Sequence, residues 1–162
     1  MKALVTGASS GIGKDMTKVL AKLNYDLVLV ARNKEGLDKV KLELQKENAK
    51  INIKTFEMDL NIKENCYKLY EQEKNIDLLI NNAGFGLYGE FTETDLEKEI
   101  NMINTNITAV HILTKLYLKD MVKENKGHIL NVASIAGFMP GPLMATYYAC
   151  LLYTSPSPRD RG

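Results

Sequence analysis

The 162-residue chain predicts an α/β fold, a doubly wound parallel sheet with helices on both faces. Three observations carry that expectation. Near-continuous apolar runs such as Asp26–Ala31 (DLVLVA) and Ile76–Asn81 (IDLLIN) read as strands buried on both faces. Segments with apolar residues at helical spacing alternate with those runs. The connections are short, as right-handed crossovers between parallel strands require.

The elements follow in order. Lys2–Thr6 is a short apolar strand. Gly11–Leu23 sets Ile12, Met16, Val19, Leu20 and Leu23 at helical spacing. Asp26–Ala31 is the second strand, and Lys34–Glu47, with Leu37, Val40, Leu42 and Leu44 among charges, an exposed amphipathic helix. Ile51–Glu57 is a third strand, Ile62–Glu73 a polar helix and Ile76–Asn81 a fourth strand. Thr94 to about Lys123 is helical, as two helices broken near Asn104–Asn106. His128–Ala133 (HILNVA) is the fifth strand, and another helix begins at Tyr147.

Composition narrows the class. Hydrophobic residues make up 45% and charged residues 25%, near the globular average, which argues against disordered, collagen-like and coiled-coil chains. Lys plus Arg number 21 and Asp plus Glu 20, so nothing in the charge favours nucleic acid or an anionic membrane as partner. No apolar run approaches the ~20 residues of a membrane helix. The strand pattern starts at Met1 and leaves no room for a signal peptide. Cys66 and Cys150 make no disulfide framework, and a reducing, cytoplasmic setting fits. His111 and His128 have no Cys, Asp or Glu at ligand spacing, so no metal site is expected.

The end of the chain differs from the rest. Every lysine lies at or before Lys126 and every asparagine at or before Asn131. Residues 150–162 (CLLYTSPSPRDRG) close on a Ser/Pro/Arg-rich stretch without helical or strand period. The segment also resembles the translation of a sequencing-library transposon adapter. It reads as a non-native, disordered tail, and without it acids and bases balance over residues 1–149.

Thr6-Gly7-Ala8-Ser9-Ser10-Gly11-Ile12-Gly13 joins the first strand to the first helix. The spacing is G-x-x-x-G-x-G. Such glycines permit a tight turn, close approach to a pyrophosphate and close helix–strand contact. The helix N-terminus then offers N–H groups and partial positive charge to the anion. No Lys-Ser/Thr pair follows Gly13, so the loop is not a P-loop. The first 149 residues thus read as a Rossmann-like dinucleotide-binding domain, which the resemblance described next makes a partial one.

The chain resembles the short-chain dehydrogenase/reductase family. The resemblance rests on Thr6–Gly13, Asp59 in MDL, Asn81-Asn82-Ala83-Gly84, Asn106 in NTNITA, Ser134 in NVASIAG and Tyr147 in TYYA. It implies a sheet truncated here after its fifth strand, and hydride transfer between a nicotinamide and a carbonyl or alcohol substrate. It implies that Gly7, Ser9, Ser10, Gly11, Ile12 and Gly13 line the cofactor, with Asp59 and Leu60 near the adenine and Asn82, Ala83 and Gly84 flanking it. Ser134 and Tyr147 correspond to the carbonyl-binding serine and the tyrosine acid/base, and Asn106 to an asparagine that distorts a helix to hold a relay water. Ser134 also reads as a turn cap, and Tyr147 competes with Tyr148 as a core aromatic. Arg32 follows the second strand, where a ribose-reading acid would sit; an arginine there pairs with a 2′-phosphate. NADP is therefore favoured, with NAD possible; the alternative reading of Arg32 is a solvated arginine at a strand end.

Two departures matter. The family pattern Tyr-x-x-x-Lys requires lysine at position 151, where this chain has Leu151. A cation within ~4–6 Å favours the ionised phenol, and leucine supplies none. The family sheet also continues past the fifth strand, so HILNVA becomes an exposed apolar edge. The chain as written is expected to be poorly soluble or partly unfolded, with little turnover. By the resemblance, the segments after Gly84 and after Ser134 border an apolar substrate. The parent would then be a homo-oligomer through the helix holding Ile112–Met121 and the one near Tyr147. The competing function is a non-catalytic dinucleotide-binding or sensing module of the same fold.

Overall fold

The computed structural model describes residues 1–139 and 141–154. Five parallel strands form one sheet in the order β3-β2-β1-β4-β5: β1 Lys2–Thr6, β2 Asp26–Ala31, β3 Ile53–Glu57, β4 Leu78–Asn81 and β5 His128–Asn131. The chain winds outward from β1 through β2 to β3, then returns to β4 on the other side of β1. Strand order thus reverses between β1 and β4, and open α/β sheets bind ligands beyond the carboxyl ends of strands at such a point.

Alternation along the strands makes two cores. Val5, Leu27, Leu29 and Ile80 face α1 (Gly11–Lys22) and α2 (Lys34–Glu47). Leu4, Val28, Val30 and Leu79 face the other side, with α3 (Lys63–Gln72) and the later helix α5 (Val110–Glu124). The central strands are apolar throughout because both faces are covered. Asn33 starts α2 by accepting the Gly36 N–H on its side chain at 2.9 Å. Asn125, in the left-handed region at φ 50°, ends α5 and turns the chain toward β5.

Several boundaries differ from the sequence reading. β3 and β4 each start two residues later than expected, because Ile51 and Ile76 are buried ahead of the ladder. The expected break near Asn104–Asn106 is not a break. α4 (Leu96–Ile103) runs into a π-helical stretch, Asn104–Ala109, and on into α5. β5 ends at Asn131, where its pairing with β4 stops, and the single turn Ile135–Gly137 follows. The last helix, α6, spans Ala145–Thr154. It runs five residues into the stretch read as a disordered tail, since Cys150 and Leu151 are buried. The rest of that stretch, 155–162, lies outside the described residues. Among the described residues, no helix is long and apolar enough to cross a membrane.

β5 pairs with β4 alone and forms one edge of the sheet. Ile129 packs under α5, but Leu130 points to the opposite face, aligned with Ile80, and is 44% exposed. An apolar residue on an open edge invites pairing with another chain, and a lysine there blocks it. Leu130→Lys is therefore expected to raise the soluble fraction on expression and remove large scatterers in light scattering. The unfolding midpoint should stay close to that of the unmodified chain.

Candidate active site

The glycine turn is shaped by three glycines with different tasks. Gly7 and Gly11 have φ of +67° and +52°, where most side chains are strained. A side chain at Gly7 would also stand 2.8 Å from Asn82 Nδ2 and 3.0 Å from Ala83 Cα. Gly13 lies inside α1, and a Cβ there would overlap the Gly7 carbonyl oxygen and Asn82 Nδ2. Gly13 is thus a packing residue, and it lines no part of the cleft. Every other sequence-predicted site residue does.

Hydrogen bonds hold the turn against β4. Thr6 Oγ1 accepts from the backbone N–H groups of Asn82 and Ala83, each at 2.9 Å, and donates to the Ile80 carbonyl at 3.3 Å. Asn82 Nδ2 donates to the carbonyls of Thr6 at 3.0 Å and Gly7 at 3.3 Å. Thr6 was not among the predicted site residues. Its signal is a hydroxyl that follows the apolar run Ala3–Val5 at the end of a strand, a group that must find partners when buried. Gly36 was missed as well. A Cβ there would come 2.9 Å from Ser9 Cβ, so the glycine lets α2 approach the turn.

Ser10, the residue before α1, is extended and makes no side-chain cap. Asn33 and Asp95, by contrast, cap α2 and α4. The first N–H groups of α1 therefore meet the cleft through Gly11 and Ile12 without a capping oxygen.

The cleft holds about 730 Å³ at the carboxyl ends of the strands. Gly7, Ser9, Ser10, Gly11 and Ile12 form one wall, and Asn82, Ala83 and Gly84 another. Arg32, Asp59 and Leu60 lie at one end, from the segments that follow β2 and β3. Arg32 Nη1 stands 4.0 Å from Asp59 Oδ2, and the guanidinium lies 5.8 Å from the centre of the Phe85 ring. The Arg32 side chain is 65% exposed, so this loose pair holds it weakly. Among the described residues lining the cleft, Arg32 is the only cation and Asp59 the only anion.

Asn106, Ser134 and Tyr147 line the same cleft from three different elements. Ser134 follows β5, and its Oγ accepts the Ala136 N–H at 3.2 Å, capping Ile135–Gly137. The cap reading holds, and the hydroxyl proton stays free to donate. Tyr147 sits in the first turn of α6, with its ring over Gly86; a Cβ there would lie 3.4 Å from the ring. Tyr148 turns its hydroxyl against Gly141 and does not line this cleft, which separates the two tyrosines. Asn106 lies in the π-helical stretch, accepting the Phe85 N–H at 3.1 Å and donating to the Phe85 carbonyl at 2.9 Å. Leu151, one turn beyond Tyr147, is buried and lines the cleft too. Cys66, whose thiol burial pushes up to about 11, belongs to the core and not to the cleft.

A parallel sheet with a glycine turn at its switch point defines a doubly wound, Rossmann-like protein. The family model described as short chain dehydrogenase matches residues 1–150, and the chain belongs to that family. It is 38% identical over 157 residues to a human protein named very-long-chain 3-oxoacyl-CoA reductase, covering 91% of this chain and 49% of that one. An uncharacterized oxidoreductase of Staphylococcus saprophyticus is 37% identical over 140 residues, 84% of this chain and 59% of the relative. Among solved structures, a bulky-bulky ketone specific alcohol dehydrogenase from Comamonas testosteroni superposes with TM-score 0.89 at 32% identity, over 94% of this chain and 62% of that one. A short-chain dehydrogenase from Sphingobium yanoikuyae, in complex with NADPH, gives 0.88 at 32% identity, over 94% and 60%. The chain spans about half the length of the curated very-long-chain 3-oxoacyl-CoA reductases it matches.

Gly13→Ala drives a methyl group into backbone at the turn. It is expected to cost about 1–3 kcal/mol, read as a lower urea midpoint at unchanged slope, together with lost affinity for an adenine dinucleotide. Gly11→Ala is the matched comparison: nothing lies within 4 Å there, and the cost is the backbone strain alone, about 1–2 kcal/mol.

Proposed function

We propose that the chain is the dinucleotide-binding part of an oxidoreductase that transfers a hydride between a nicotinamide and a carbonyl or alcohol, with NADP(H) preferred over NAD(H). One observation carries the reading: the glycine turn, Ser134 and Tyr147 share a single cleft. The residues fit a dinucleotide. Side chains at Gly7 or Gly13 would overlap the turn and Asn82 and so displace the cradle wall, and the uncapped start of α1 offers N–H groups to a diphosphate. Arg32, loosely held at the end of β2, suits a 2′-phosphate, and the NADPH complex of a related structure supports the preference.

When bound, the nicotinamide supplies or takes up the hydride. In reduction, the Ser134 hydroxyl donates a hydrogen bond to the carbonyl oxygen as negative charge builds there. The Tyr147 phenol gives that oxygen its proton. Asn106 fixes the backbone of Phe85 and with it the segment that runs under the Tyr147 ring. Leu151 occupies the place of the family lysine, so no α6 cation assists the phenol, and this chain turns over slowly or not at all. In this reading residues 1–149 are the dinucleotide-binding part, and 150–162 are not native. The longer parent is a cytoplasmic homo-oligomer acting on a small molecule.

A second reading, a binding or sensing module without catalysis, is favoured by Leu151 itself. Leu151→Lys separates the two. A lysine one helical turn after Tyr147 shares its face, and NADPH-dependent ketone reduction is expected to rise about tenfold or more as a cation there favours the ionised phenol. Unchanged turnover in a variant that still binds NADPH would favour the binder. Arg32→Asp tests the cofactor preference: its dissociation constant for NADPH should rise well beyond that for NADH, and equal losses for the two would count against NADP(H).

A further inference from the structure

We infer that Phe85 lowers the cleft's affinity for its dinucleotide by holding Arg32 across the glycine turn, in space that a bound diphosphate needs. The inference rests on the dinucleotide-binding reading above and concerns the same cleft. Both side chains line it, and they come from opposite sides of the turn. Arg32 directly follows β2, and Phe85 follows the Asn82-Ala83-Gly84 segment beyond β4.

β1 lies between β2 and β4, so those two strands stand two strand spacings apart, about 9–10 Å. The turn that leaves β1 fills the gap between their ends. On one side the Ala8 N–H donates to the Val30 carbonyl at 3.2 Å. On the other, Asn82 Nδ2 donates to the Gly7 carbonyl at 3.3 Å. The Arg32 guanidinium, 5.8 Å from the centre of the Phe85 ring, therefore closes a bridge over that turn. Gly7, Gly11 and Ile12 line the same cleft, where the uncapped start of α1 offers its N–H groups to an anion. A diphosphate seated there and the bridge exclude each other.

The two partners are held unequally. Asn106 clasps both backbone groups of Phe85, at 3.1 and 2.9 Å, so the ring stays with its wall. The Arg32 side chain is 65% exposed, and its other partner, Asp59, stands 4.0 Å away. The arginine is therefore the part that moves. Leaving the ring costs the same contact whichever dinucleotide enters. Pairing with a 2′-phosphate, by contrast, is a gain open to NADP(H) alone. Arg32 thus distinguishes the two cofactors, while Phe85 weakens both by one common factor.

The test measures dissociation constants of NADPH and NADH for the 162-residue chain, with urea midpoints to report folding. Phe85→Leu and Phe85→Met remove the ring and keep an apolar side chain. Each should tighten both cofactors by the same factor, about two- to fivefold, the worth of an exposed cation–π contact. Phe85→Tyr keeps the ring and should keep the unmodified affinities. In an Arg32→Ala background, read with NADH, Phe85→Leu should change nothing, since the partner it releases is gone. Weaker binding in the ring-free variants, as expected of a ring that packs on the bound cofactor, overturns the inference. So does unchanged binding, a gain for one cofactor alone, or a gain that survives in the Arg32→Ala background. If the folded, unmodified chain binds neither cofactor, the dinucleotide reading falls, and this inference with it.

Discussion

The close approach of the glycine turn to the end of β4 is the constraint on which the rest of the site depends. Gly13 brings α1 onto the Gly7 carbonyl, and Asn82 Nδ2 occupies the space that a side chain at either glycine would need. Thr6 and Asn82 then bind the turn to β4 through five hydrogen bonds to backbone groups. A typical hydrogen bond contributes about 0.5–1.5 kcal/mol, but a buried donor or acceptor left unpaired costs about 1–3 kcal/mol. The clasp is therefore specified more by the cost of breaking it than by the gain of making it. It sits at the switch point of the sheet, so its position also sets where the cleft opens.

From that clasp the two ends of the cleft are fixed by separate means. At one end Arg32 and Asp59 are extensions of β2 and β3, and their positions follow from sheet register alone. At the other end, Asn106 does the work. A regular helix through residues 104–109 would turn its side chains through a different set of directions. The π-helical stretch lets Asn106 meet both backbone groups of Phe85. Such stretches are rare and recur at functional sites because they cost helical hydrogen-bond geometry and persist where something compensates. Here the compensation is visible: a two-way pairing with a segment that belongs to no helix or strand.

Most of the fold was legible because buried parallel strands announce themselves. The spans of β1, β2 and α2 agree with the apolar runs and the helical period residue for residue. The site was legible where a motif forces a backbone conformation, as at Gly7 and Gly11. It was not legible where chain segments meet. Gly36 against Ser9, and Thr6 against Asn82 and Ala83, are contacts between residues far apart in sequence; Gly36 carries no local signal of its contact, and the Thr6 hydroxyl signals that it needs partners without saying which. The π-helical stretch was implied by the resemblance, as a helix distorted at Asn106, but was not visible in the residue pattern itself. Its apolar period matches an ordinary helix closely enough that Asn104–Asn106 looked like an interruption, when the polar side chains mark a widened turn.

The end of α6 shows how far foldedness and chemistry part company. Leu151 is buried in the same helix as Tyr147, and Cys150 beside it is buried as well. An apolar residue at position 151 suits a helix that closes over a core, whereas a lysine would bury its stem and hold its charge toward the cleft. The fold therefore accommodates leucine there, in the same cleft as the glycine turn, Asn106 and Ser134. In the proposed reading it is the phenol that depends on what stands one turn further along. The position that decides, in that reading, whether the cleft is competent is thus one whose packing carries no sign of that role.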